Sequence, residues 1–365
     1  MKVVLVYDRV NKWGGAERVL MALHEIWPEA PLFTSVYDRK MAFWANIFPR
    51  VIPSFLQNFP FAKNYHEVYP YLMPLAFESF NFDKFDLVIS VTSEAGKGII
   101  TKPSTRHICY CLTPTRYLWS GYFHYKKSLQ FGPATSLMKF FYSLLTQKLR
   151  YWDFIAAQRP DQIISISQNV AERVEKYYHR DSQVIYPPVD TEKFKPSANK
   201  SPGEYYLAVS RLVSYKRVDL AIQAFNKLGW KLIVIGTGRQ LNYLKSLAKP
   251  NITFISQNLT DEKLVSYYQN CKGLLFTADE DLGLVPIEAQ ACSIPVIAYR
   301  SGGALETIIE GQTGEFFDKP TSDSLVKTLS LFARKDYNRK IVRESALRFN
   351  KERFRKSFIK LEGAN

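Results

Sequence analysis

Cysteine is scarce in this chain of 365 residues. Its four cysteines, Cys109, Cys111, Cys271 and Cys292, are too few and too scattered for a disulfide framework, which predicts a reducing compartment. Cys109 and Cys111 are separated by one residue, which is closer than the usual spacing of metal ligands, and no second pair follows them. We therefore expect no structural zinc.

Long hydrophobic runs are also missing. No stretch approaches the ~20 apolar residues that a membrane-spanning helix needs. The N-terminal sequence reaches Asp8 before any long apolar run develops, which argues against a signal peptide. Hydrophobic residues make up 46% of the chain, which excludes intrinsic disorder. At roughly 150 residues per domain, the length predicts two domains. Together these features predict a soluble, cytoplasmic protein.

Acidic residues are absent from one long segment. The chain has 49 Lys+Arg against 34 Asp+Glu and a net charge of +15, and residues 95–152 contain nine of the cations but no Asp or Glu. The same segment holds twelve aromatic residues. Such a mixture suits an anionic membrane surface or a nucleic acid, and the alternative is a solvated basic face over an aromatic core. The membrane is favoured because a predicted amphipathic helix, residues 135–152, places these side chains on one side: Leu137, Phe140, Phe141, Leu144, Leu145 and Leu149.

Short apolar strands alternate with helical patterns along the chain, which predicts parallel sheets. Two successive series indicate an α/β protein with two Rossmann-like domains, residues 1–188 and 189–345, and ligands bound at the carboxyl ends of the strands in the cleft between them. The polar residues 195–203 are the predicted linker, and residues 341–361 form a predicted basic amphipathic helix. The predicted strands are residues 3–7, 87–91, 108–111, 162–166, 205–209, 231–235, 251–255, 274–277 and 295–299.

A pair of glycines, Gly14 and Gly15, lies where the first strand turns into the first helix. Paired glycines let the backbone approach a ligand closely, and the start of a helix offers N–H groups to an anion. The third glycine of a dinucleotide fingerprint is missing, and no Walker loop follows. A plain tight turn is the alternative.

Two further loops follow strands of the second domain. Arg211, Lys216 and Arg217 come after its first strand, where two or three cations would suit a diphosphate; a solvated charge run is the alternative. Gly236 and Gly238 follow the next strand and form a turn that can present backbone to phosphate.

Residues 279–291, with the sequence DEDLGLVPIEAQA, are the most informative stretch. A helix is predicted to begin near Pro286, so that Gly283, Leu284 and Val285 direct N–H groups at a phosphate. Glu280 in the loop and Glu288 in the first helical turn can accept hydrogen bonds from hydroxyl groups at separate points of a ligand. Glu288 also suits the helix N-terminus as a favourable charge. An acidic metal motif is the alternative for residues 279–281, in an unusual setting.

The spacing of Glu280 and Glu288 resembles the Glu-x7-Glu signature of retaining glycosyltransferases of family 4. The resemblance covers nearly the whole chain, including WGGAER at 13–18, RHICYCLTPTRYLW at 106–119, YPPVDTEKF at 186–194, residues 211–225 and SGGALE at 301–306. It implies the GT-B fold, with two Rossmann-like domains that face each other across a cleft. It also implies that the first domain binds the acceptor, that the second binds the nucleotide-sugar donor, and that the C-terminal helix, residues 346–365, crosses back to the first domain.

The resemblance also implies roles for individual residues. Arg211 and Lys216 would hold the donor diphosphate, Glu280 the transferred sugar and Glu288 the ribose, without a metal or other cofactor. Backbone N–H groups of Leu284 and Val285 would meet the sugar or phosphate, and Gly14 and Gly15 would border the diphosphate and the acceptor. Residues 256–258, which include Asn258, match the loop that receives the base.

One position departs from the family pattern. Relatives often have His where this chain has Leu112, so a histidine contact to the donor is not expected here. His107 lies on a strand that would be buried and is not expected to replace it. Because the implied front-face mechanism needs no general base from the enzyme, Leu112 is not interpreted as inactivating. Arg116 and Tyr117 are candidates for the acceptor side.

The resulting prediction is a glycosyltransferase at the cytoplasmic face of the cell membrane. Residues 215–219 and 280–286 resemble members that use GDP-mannose, so mannosyl transfer to a lipid-linked or polysaccharide acceptor is the first choice. Transfer from a UDP-sugar is the second, and a sugar-nucleotide 2-epimerase of the same fold ranks lower. From other classes, the alternatives are a basic nucleic-acid-binding protein and an inactive relative that serves as a binding partner. We expect a nucleotide-sugar, the acceptor and an anionic membrane as partners, and no nucleic acid.

Overall fold

The computed structural model describes residues 1–64, 69–128, 135–197, 203–257 and 259–362. The chain divides into two compact units, Met1–Tyr186 and Pro187–Asn365. The predicted linker, residues 195–203, therefore follows this boundary by several residues, because Arg343 of the second unit donates from Nη1 to the Phe194 carbonyl (3.2 Å) and from Nη2 to the Thr191 carbonyl (3.2 Å).

The first unit is built on a parallel sheet. Its described strands are β1 (Val3–Tyr7), β2 (Leu32–Thr34), β3 (Val51–Pro53), β4 (Leu87–Thr92), β5 (Arg106–Cys111), β6 (Gln162–Ser165) and β7 (Gln183–Val184). They pair in the order β3-β2-β1-β4-β5-β6-β7. The helices are α1 (Gly15–Ile26), α2 (Leu72–Glu78), α3 (Tyr122–Ser128), α4 (Thr135–Ala156) and α5 (Gln168–Tyr178). Strands β1 and β4 are buried at every residue, as expected for continuous apolar runs in a parallel sheet.

The second unit repeats this design. Its described strands are β8 (Tyr205–Val209), β9 (Leu232–Ile235), β10 (Ile252–Ile255), β11 (Cys271–Phe276), β12 (Val296–Tyr299) and β13 (Gly314–Phe317), in the order β10-β9-β8-β11-β12-β13. The helices are α6 (Val218–Leu228), α7 (Leu241–Leu247), α8 (Asp261–Gln269), α9 (Leu284–Ala291), α10 (Ala304–Thr307), α11 (Ser322–Phe332), α12 (Arg339–Leu347) and α13 (Lys351–Glu362). Both strand orders are those of doubly wound Rossmann-type sheets, so the predicted α/β fold is confirmed.

The predicted terminal helix is wrong in one respect, since the structure has two helices, α12 and α13, where one was expected. Phe349 is buried, and its carbonyl accepts from the Val189 N–H at 2.8 Å, which takes this residue out of a continuous helix. The Asn350 side chain then accepts from the Arg353 N–H at 2.8 Å, as a residue that begins a new helix does. The structure groups α13 with the second unit, and its predicted return to the first domain stays a prediction.

Helix α4 follows its predicted course but is longer, ending at Ala156. Its buried residues are Thr146, Leu149, Asp153 and Ala156. The rest of the predicted apolar side is exposed: Leu137, Phe140, Phe141, Leu144 and Leu145 are 57%, 59%, 47%, 47% and 45% accessible. None of the helices in the described ranges combines the length and the hydropathy needed to span a bilayer.

Candidate functional site

In the second sheet, β8 pairs with β9 on one side and with β11 on the other, so the strand order reverses between β8 and β11. In a doubly wound sheet such a reversal opens a crevice at the carboxyl ends of the two central strands, where ligands bind. The loop after β8 carries Arg211 and Lys216, and the loop after β11 carries Glu280. Thus the structure places the three predicted catalytic residues at one reversal.

Lys216 and Glu280 are in direct contact. The Lys216 ammonium forms an ion pair with Glu280 Oε1, and the two side chains are 12% and 22% exposed. Thr277 Oγ1 donates to the Lys216 carbonyl at 2.8 Å, which joins the two loops a second time. An ammonium has three N–H donors and a carboxylate has about four acceptor sites, so this pair keeps capacity for further bonds.

The loop that carries Arg211 is fixed by the two glycines of the neighbouring turn. A Cβ at Gly236 would lie 1.8 Å from the Ser210 carbonyl oxygen, and one at Gly238 would lie 2.3 Å from the Leu212 carbonyl oxygen. These residues are therefore glycine because two loops touch there, a reason that the sequence did not supply. The Arg211 guanidinium donates from Nη2 to the Tyr215 hydroxyl at 2.7 Å.

Helix α9 begins two residues before Pro286, at Leu284, and Gly283 precedes it with a φ of 85°. This left-handed conformation favours glycine, and a Cβ there would also lie 2.6 Å from the Phe276 ring. Leu284 and Val285 thus occupy the first helical turn, whose N–H groups have no carbonyl within the helix to bond. The predicted anion-facing segment has the geometry that such a role requires.

Glu280 is also held from its other side. The Gly303 N–H donates to the Glu280 carbonyl at 2.9 Å. A Cβ at Gly302 would lie 2.3 Å from that carbonyl oxygen, and one at Gly303 would lie 2.2 Å from the Leu282 Cα. The loop after β12 therefore packs backbone to backbone against the acidic loop, which explains both glycines of the SGG sequence.

Glu288 is buried in α9, and its Oε2 accepts from the Tyr268 hydroxyl at 2.8 Å. Tyr268 was missed by sequence reasoning, because nothing in α8 marks it as a partner of a residue 20 positions later. Asn258 lies outside the described residues. Within the described ranges, no group of three or more His, Cys, Asp and Glu side chains is arranged to hold a metal ion.

The predicted glycines of the first unit begin α1. Gly14 precedes the helix in an extended conformation, and Gly15 is its first residue. A Cβ at Gly14 would lie 3.1 Å from Glu17 Oε2. The buried Glu17 carboxylate accepts from the Tyr7 hydroxyl at 2.7 Å. Burial, followed by the Glu17 charge, raises the pKa of Tyr7, so this hydroxyl stays protonated and donates.

Asp8 was not predicted as a site residue. It follows β1 and lies where the strand order of the first sheet reverses between β1 and β4. Its buried carboxylate accepts from Thr92 Oγ1 (2.7 Å) and from the N–H groups of Ser93 (2.7 Å), Glu94 (3.1 Å) and Gly96 (2.9 Å). Burial, followed by the Glu94 charge, raises the pKa of Asp8. The side chain is therefore used to fix the loop after β4.

A second buried carboxylate, Asp153 of α4, connects the loops after β4 and β5. Its Oδ1 accepts from Lys97 Nζ (2.6 Å) and Thr115 Oγ1 (2.7 Å), and its Oδ2 accepts from Trp119 Nε1 (2.7 Å) and the Tyr178 hydroxyl (2.7 Å). Burial alone lowers the pKa of Lys97, but the Asp153 carboxylate outweighs it and raises that pKa. Lys97 was expected to be part of a basic surface, and this is wrong because the side chain is 3% exposed and neutralised.

The acceptor-side candidates Arg116 and Tyr117 are both partly buried in the loop that α4 holds. The Tyr142 hydroxyl donates to the Tyr117 carbonyl at 3.0 Å, and Arg150 Nε donates to the Leu118 carbonyl at 2.9 Å. Burial, followed by the charge of Glu94, raises the pKa of Tyr117.

His107 is fully buried and contacts Ser90 Oγ through Nε2 at 2.8 Å. It lies near the amino end of β5, whereas Leu112 follows the carboxyl end. The expectation that His107 is buried and does not substitute at the Leu112 position is consistent with this placement.

Known proteins share the fold of this chain. Over its full length the chain aligns with the full length of Anabaena HepE solved with UDP, at a TM-score of 0.73 and 18% identity, and with the same protein solved with UDP-glucose, at 0.73 and 17%. The fold class is therefore that of the GT-B glycosyltransferases, as the sequence predicted. Residues 189–349 match the family model described as Glycosyl transferases group 1. This part of the chain is similar to the group 1 glycosyltransferases that the model describes.

Relatives by sequence cover part of the chain. An uncharacterized glycosyltransferase of Methanocaldococcus jannaschii is 27% identical over 210 residues, which is 56% of this chain and 59% of that protein. A GDP-mannose-dependent alpha-(1-6)-phosphatidylinositol monomannoside mannosyltransferase of Mycolicibacterium smegmatis is 31% identical over 167 residues, 38% of this chain and 44% of that protein. The chain thus spans about half the length of these relatives.

Proposed function

We propose that this protein is a retaining glycosyltransferase of family 4 that transfers mannose from GDP-mannose to a lipid-linked or polysaccharide acceptor. The observation that carries the proposal is the Lys216–Glu280 ion pair at the β8/β11 reversal, beside the first turn of α9. It combines a cation for a diphosphate with a carboxylate for sugar hydroxyls. The mannosyltransferase among the relatives supports the choice of donor.

In this proposal, Arg211 and Lys216 bind the donor diphosphate and offset the negative charge that develops as the nucleotide leaves. They take the place of a divalent ion, so transfer needs no metal. Glu280 binds hydroxyls of the transferred sugar, and Glu288, oriented by Tyr268, binds the ribose. The first turn of α9 directs its N–H groups at the sugar or phosphate.

The acceptor attacks the same face of the sugar from which the nucleotide leaves. The acceptor hydroxyl forms the new bond to the anomeric carbon while the bond to the diphosphate breaks, and the leaving phosphate oxygen takes the hydroxyl proton. The anomeric configuration is thereby retained. This route asks no protein side chain at Leu112 to act as a base.

A donor screen tests the proposal. Release of nucleoside diphosphate is measured with GDP-mannose and with UDP-glucose, UDP-galactose and UDP-N-acetylglucosamine. Lys216→Ala is expected to lower turnover by about 10²-fold or more, the size of effect typical for a group that stabilises developing charge. Lys227→Ala is the matched control, because Lys227 is a half-exposed lysine of α6 that pairs with the exposed Asp323.

Each outcome of the screen has a meaning. Turnover with a UDP-sugar alone would replace the donor and keep the reaction class. Unchanged turnover in Lys216→Ala would contradict the assigned site. Thermal stabilisation by a short oligonucleotide, with none by GDP or UDP, would favour the nucleic-acid alternative instead.

We also propose that the protein binds the cytoplasmic membrane surface through α4. The five exposed residues of its predicted apolar side are accompanied by two exposed cations, Lys148 of the same helix and Lys127 of α3, a combination that binds anionic interfaces. Co-sedimentation with phosphatidylglycerol vesicles at low salt is expected. Replacing Phe140 and Phe141 by Ser should abolish it, whereas Leu331→Ser, at a leucine of α11 that is 58% exposed, should not. Equal sedimentation of all variants would contradict this assignment.

A further inference from the structure

A cleft of 890 Å³ lies at the amino ends of the strands of the second unit. Its lining includes residues at or just before the starts of β8, β9, β11 and β12: Tyr206, Lys231, Cys271 and Pro295. The loops that carry Arg211 and Glu280 follow the carboxyl ends of β8 and β11, so this cleft is at the opposite edge of the same sheet. We propose that it is a second binding site, which holds a nucleoside triphosphate.

The size of the cleft suits such a ligand, because sites for small organic molecules have volumes of about 300–1,000 Å³. The site is independent of the proposed donor site, since the two are formed by opposite ends of the strands. Its two chemical features, a row of aromatic rings and an excess of cations, match the two parts of a nucleotide.

Four aromatic rings form a row along the cleft. The Trp230 indole is stacked on Tyr206, with 5.6 Å between centroids and 10° between planes. The Phe332 ring is 6.1 Å from Tyr206, and Tyr337 is stacked on Phe332 at 4.8 Å and 30°. Tyr206 and Phe332 are buried, whereas Trp230 and Tyr337 are partly exposed, so each partly exposed ring is backed by a buried one. Nucleobases stack on aromatic side chains, because every base has a π face.

The lining of the cleft is positively charged. Its charged residues among those described are four cations and one carboxylate: Lys231, Lys272, Lys335, Arg339 and Glu204. Lys231 pairs with Glu204 at 2.6 Å, and Lys335 pairs with Glu315 at 2.7 Å. Arg339 forms no ion pair or hydrogen bond with another described residue. Four cations therefore face two carboxylates, and this excess suits a ligand that carries several negative charges.

Lys272 lies at an irregularity of a central strand. Every other residue of β11 is buried, and the register of its pairing with β8 shifts between Cys271 and Leu274. A Cβ at Gly273 would lie 2.8 Å from Cζ of Phe332, so the strand packs closely against the aromatic row at this point. An irregularity of this kind re-aims a side chain. It accounts for an exposed lysine in a strand that is otherwise part of the core.

A second cleft of 650 Å³ adjoins the first, because Tyr337 and Arg339 belong to the lining of both. The second cleft adds Arg343, whose guanidinium donates to the carbonyls of Thr191, Phe194 and Ala291. Backbone carbonyls hold this side chain in place but do not neutralise its charge. In the proposed complex the base stacks on Trp230, and the phosphates lie at Arg339, where the two clefts meet.

The test follows Trp230, which is the single tryptophan of the second unit. The full-length protein is labelled with fluorotryptophan, and the fluorine NMR signal that Trp230→Phe lacks is assigned to Trp230. Addition of ATP is expected to shift this signal in a saturable manner. The double variant Lys272→Ala, Arg339→Ala should weaken ATP binding about tenfold or more, because two charged partners of the phosphates are lost.

The matched control is the double variant Lys245→Ala, Lys319→Ala. It removes the same charge at two exposed lysines outside both clefts, one in α7 and one after β13, and should bind ATP as the wild type does. Circular dichroism in urea compares the stability of the two double variants. Arg339→Gln alone should show a weaker effect in the same direction and replaces the first double variant if that protein does not fold.

Tripolyphosphate provides the charge without a base and should bind about tenfold more weakly than ATP or less, because it cannot stack on Trp230. The inference is overturned if ATP does not shift the Trp230 signal, if the two double variants respond alike, or if tripolyphosphate matches ATP. A response to ATP that disappears in Lys216→Ala would also overturn it, since the nucleotide would then act through the donor loops. Sugar transfer does not enter this test, so its result is separate from that of the donor screen.

Discussion

The loops at the β1/β4 reversal and those at the β8/β11 reversal occupy equivalent places in two sheets of the same strand order, yet different groups fix them. In the first unit the loops are bonded to buried carboxylates, Asp8 and Asp153. In the second unit they touch through backbone, at Gly236, Gly302 and Gly303. One topology thus supports a loop by buried charge or by close backbone packing.

The difference teaches what each solution leaves at the surface. Backbone packing uses no side chain, so Lys216 and Glu280 remain partly exposed and close to each other. In the first unit Asp8, Lys97 and Asp153 are buried in supporting the loops, and the partly exposed charged residues there are Glu94 and Arg9. Each reversal therefore keeps one partly exposed ion pair, although different groups support the loops that carry it.

Removing one buried charge should destabilise the first unit, whose loops are bonded to buried carboxylates. Asp153→Ala leaves the Lys97 ammonium buried without its carboxylate, and we expect a loss of about 3–5 kcal/mol in the free energy of unfolding. Adding Lys97→Met should recover part of this loss, because the unpaired charge is gone. Urea unfolding followed by tryptophan fluorescence reports on the first unit, which holds five of the six tryptophans.

The control is Asp323→Ala, which removes the exposed partner of Lys227 in the second unit and is compared with Asp153→Ala by circular dichroism in urea. An exposed pair contributes at most about 1 kcal/mol. A loss in Asp153→Ala no larger than that in Asp323→Ala would mean that buried charge does not support the first unit.

A side chain added where two backbone segments touch should destabilise the second unit, whose loops pack backbone to backbone. Gly236→Ala places a methyl group against the Ser210 carbonyl, and we expect a loss of about 3 kcal/mol or more together with displacement of the Arg211 loop. Gly229→Ala, at a φ of 70° in open space among the described residues, should cost about 1 kcal/mol from conformation alone. Circular dichroism in urea compares the two, and equal losses would show that the loops can separate without cost.

The smallest expected effect concerns the pH dependence of the stability of the first unit, through the buried His107 near the amino end of β5. Burial, followed by the Arg159 charge, lowers the pKa of His107 to about 3. The neutral imidazole thus contributes stability that is complete above the unfolded pKa of about 6.5 and is lost as the pH falls from there towards 3. Between pH 7 and pH 5 the wild type should lose about 2 kcal/mol more than His107→Gln.

Urea unfolding at the two pH values, again by tryptophan fluorescence, measures this difference. Glutamine reaches Ser90 without titrating, which makes it the appropriate replacement. Parallel pH profiles of the two proteins would show that His107 does not couple the stability of this unit to pH.

The sequence predicted the second unit better than the first, for a physical reason. Loops supported by backbone require glycine, and residues 279–291 and 301–303 show this need as local patterns in the chain. The bond from Lys97 to Asp153 joins residues that are 56 positions apart in the sequence. No local pattern around either residue predicts a partner so far away. The short strands β2, β3 and β7 of the first unit were likewise missed, since two or three residues give too little pattern, and Pro53 lies in edge strand β3. In the second unit the four-residue edge strand β13 was missed.

Helix α4 shows a further limit of prediction from apolar periodicity. Its apolar period predicted a helix and a membrane-facing side, but it could not tell which residues the fold would bury. Leu149 belongs to the predicted side and is buried, whereas the five residues before it on that side are exposed. One turn after Leu149, Asp153 bonds to Trp119, Tyr178 and Lys97, which come from three other parts of the chain.

The exposed side of α4 has a consequence for how the protein behaves at high concentration. At low ionic strength the net charge of +15 keeps molecules apart. At about 0.1 M salt the repulsion is screened beyond roughly 10 Å, so phenylalanine and leucine side chains on neighbouring molecules can meet. Added salt should therefore favour clustering of this protein in the test tube, and a detergent that covers one helix should prevent it.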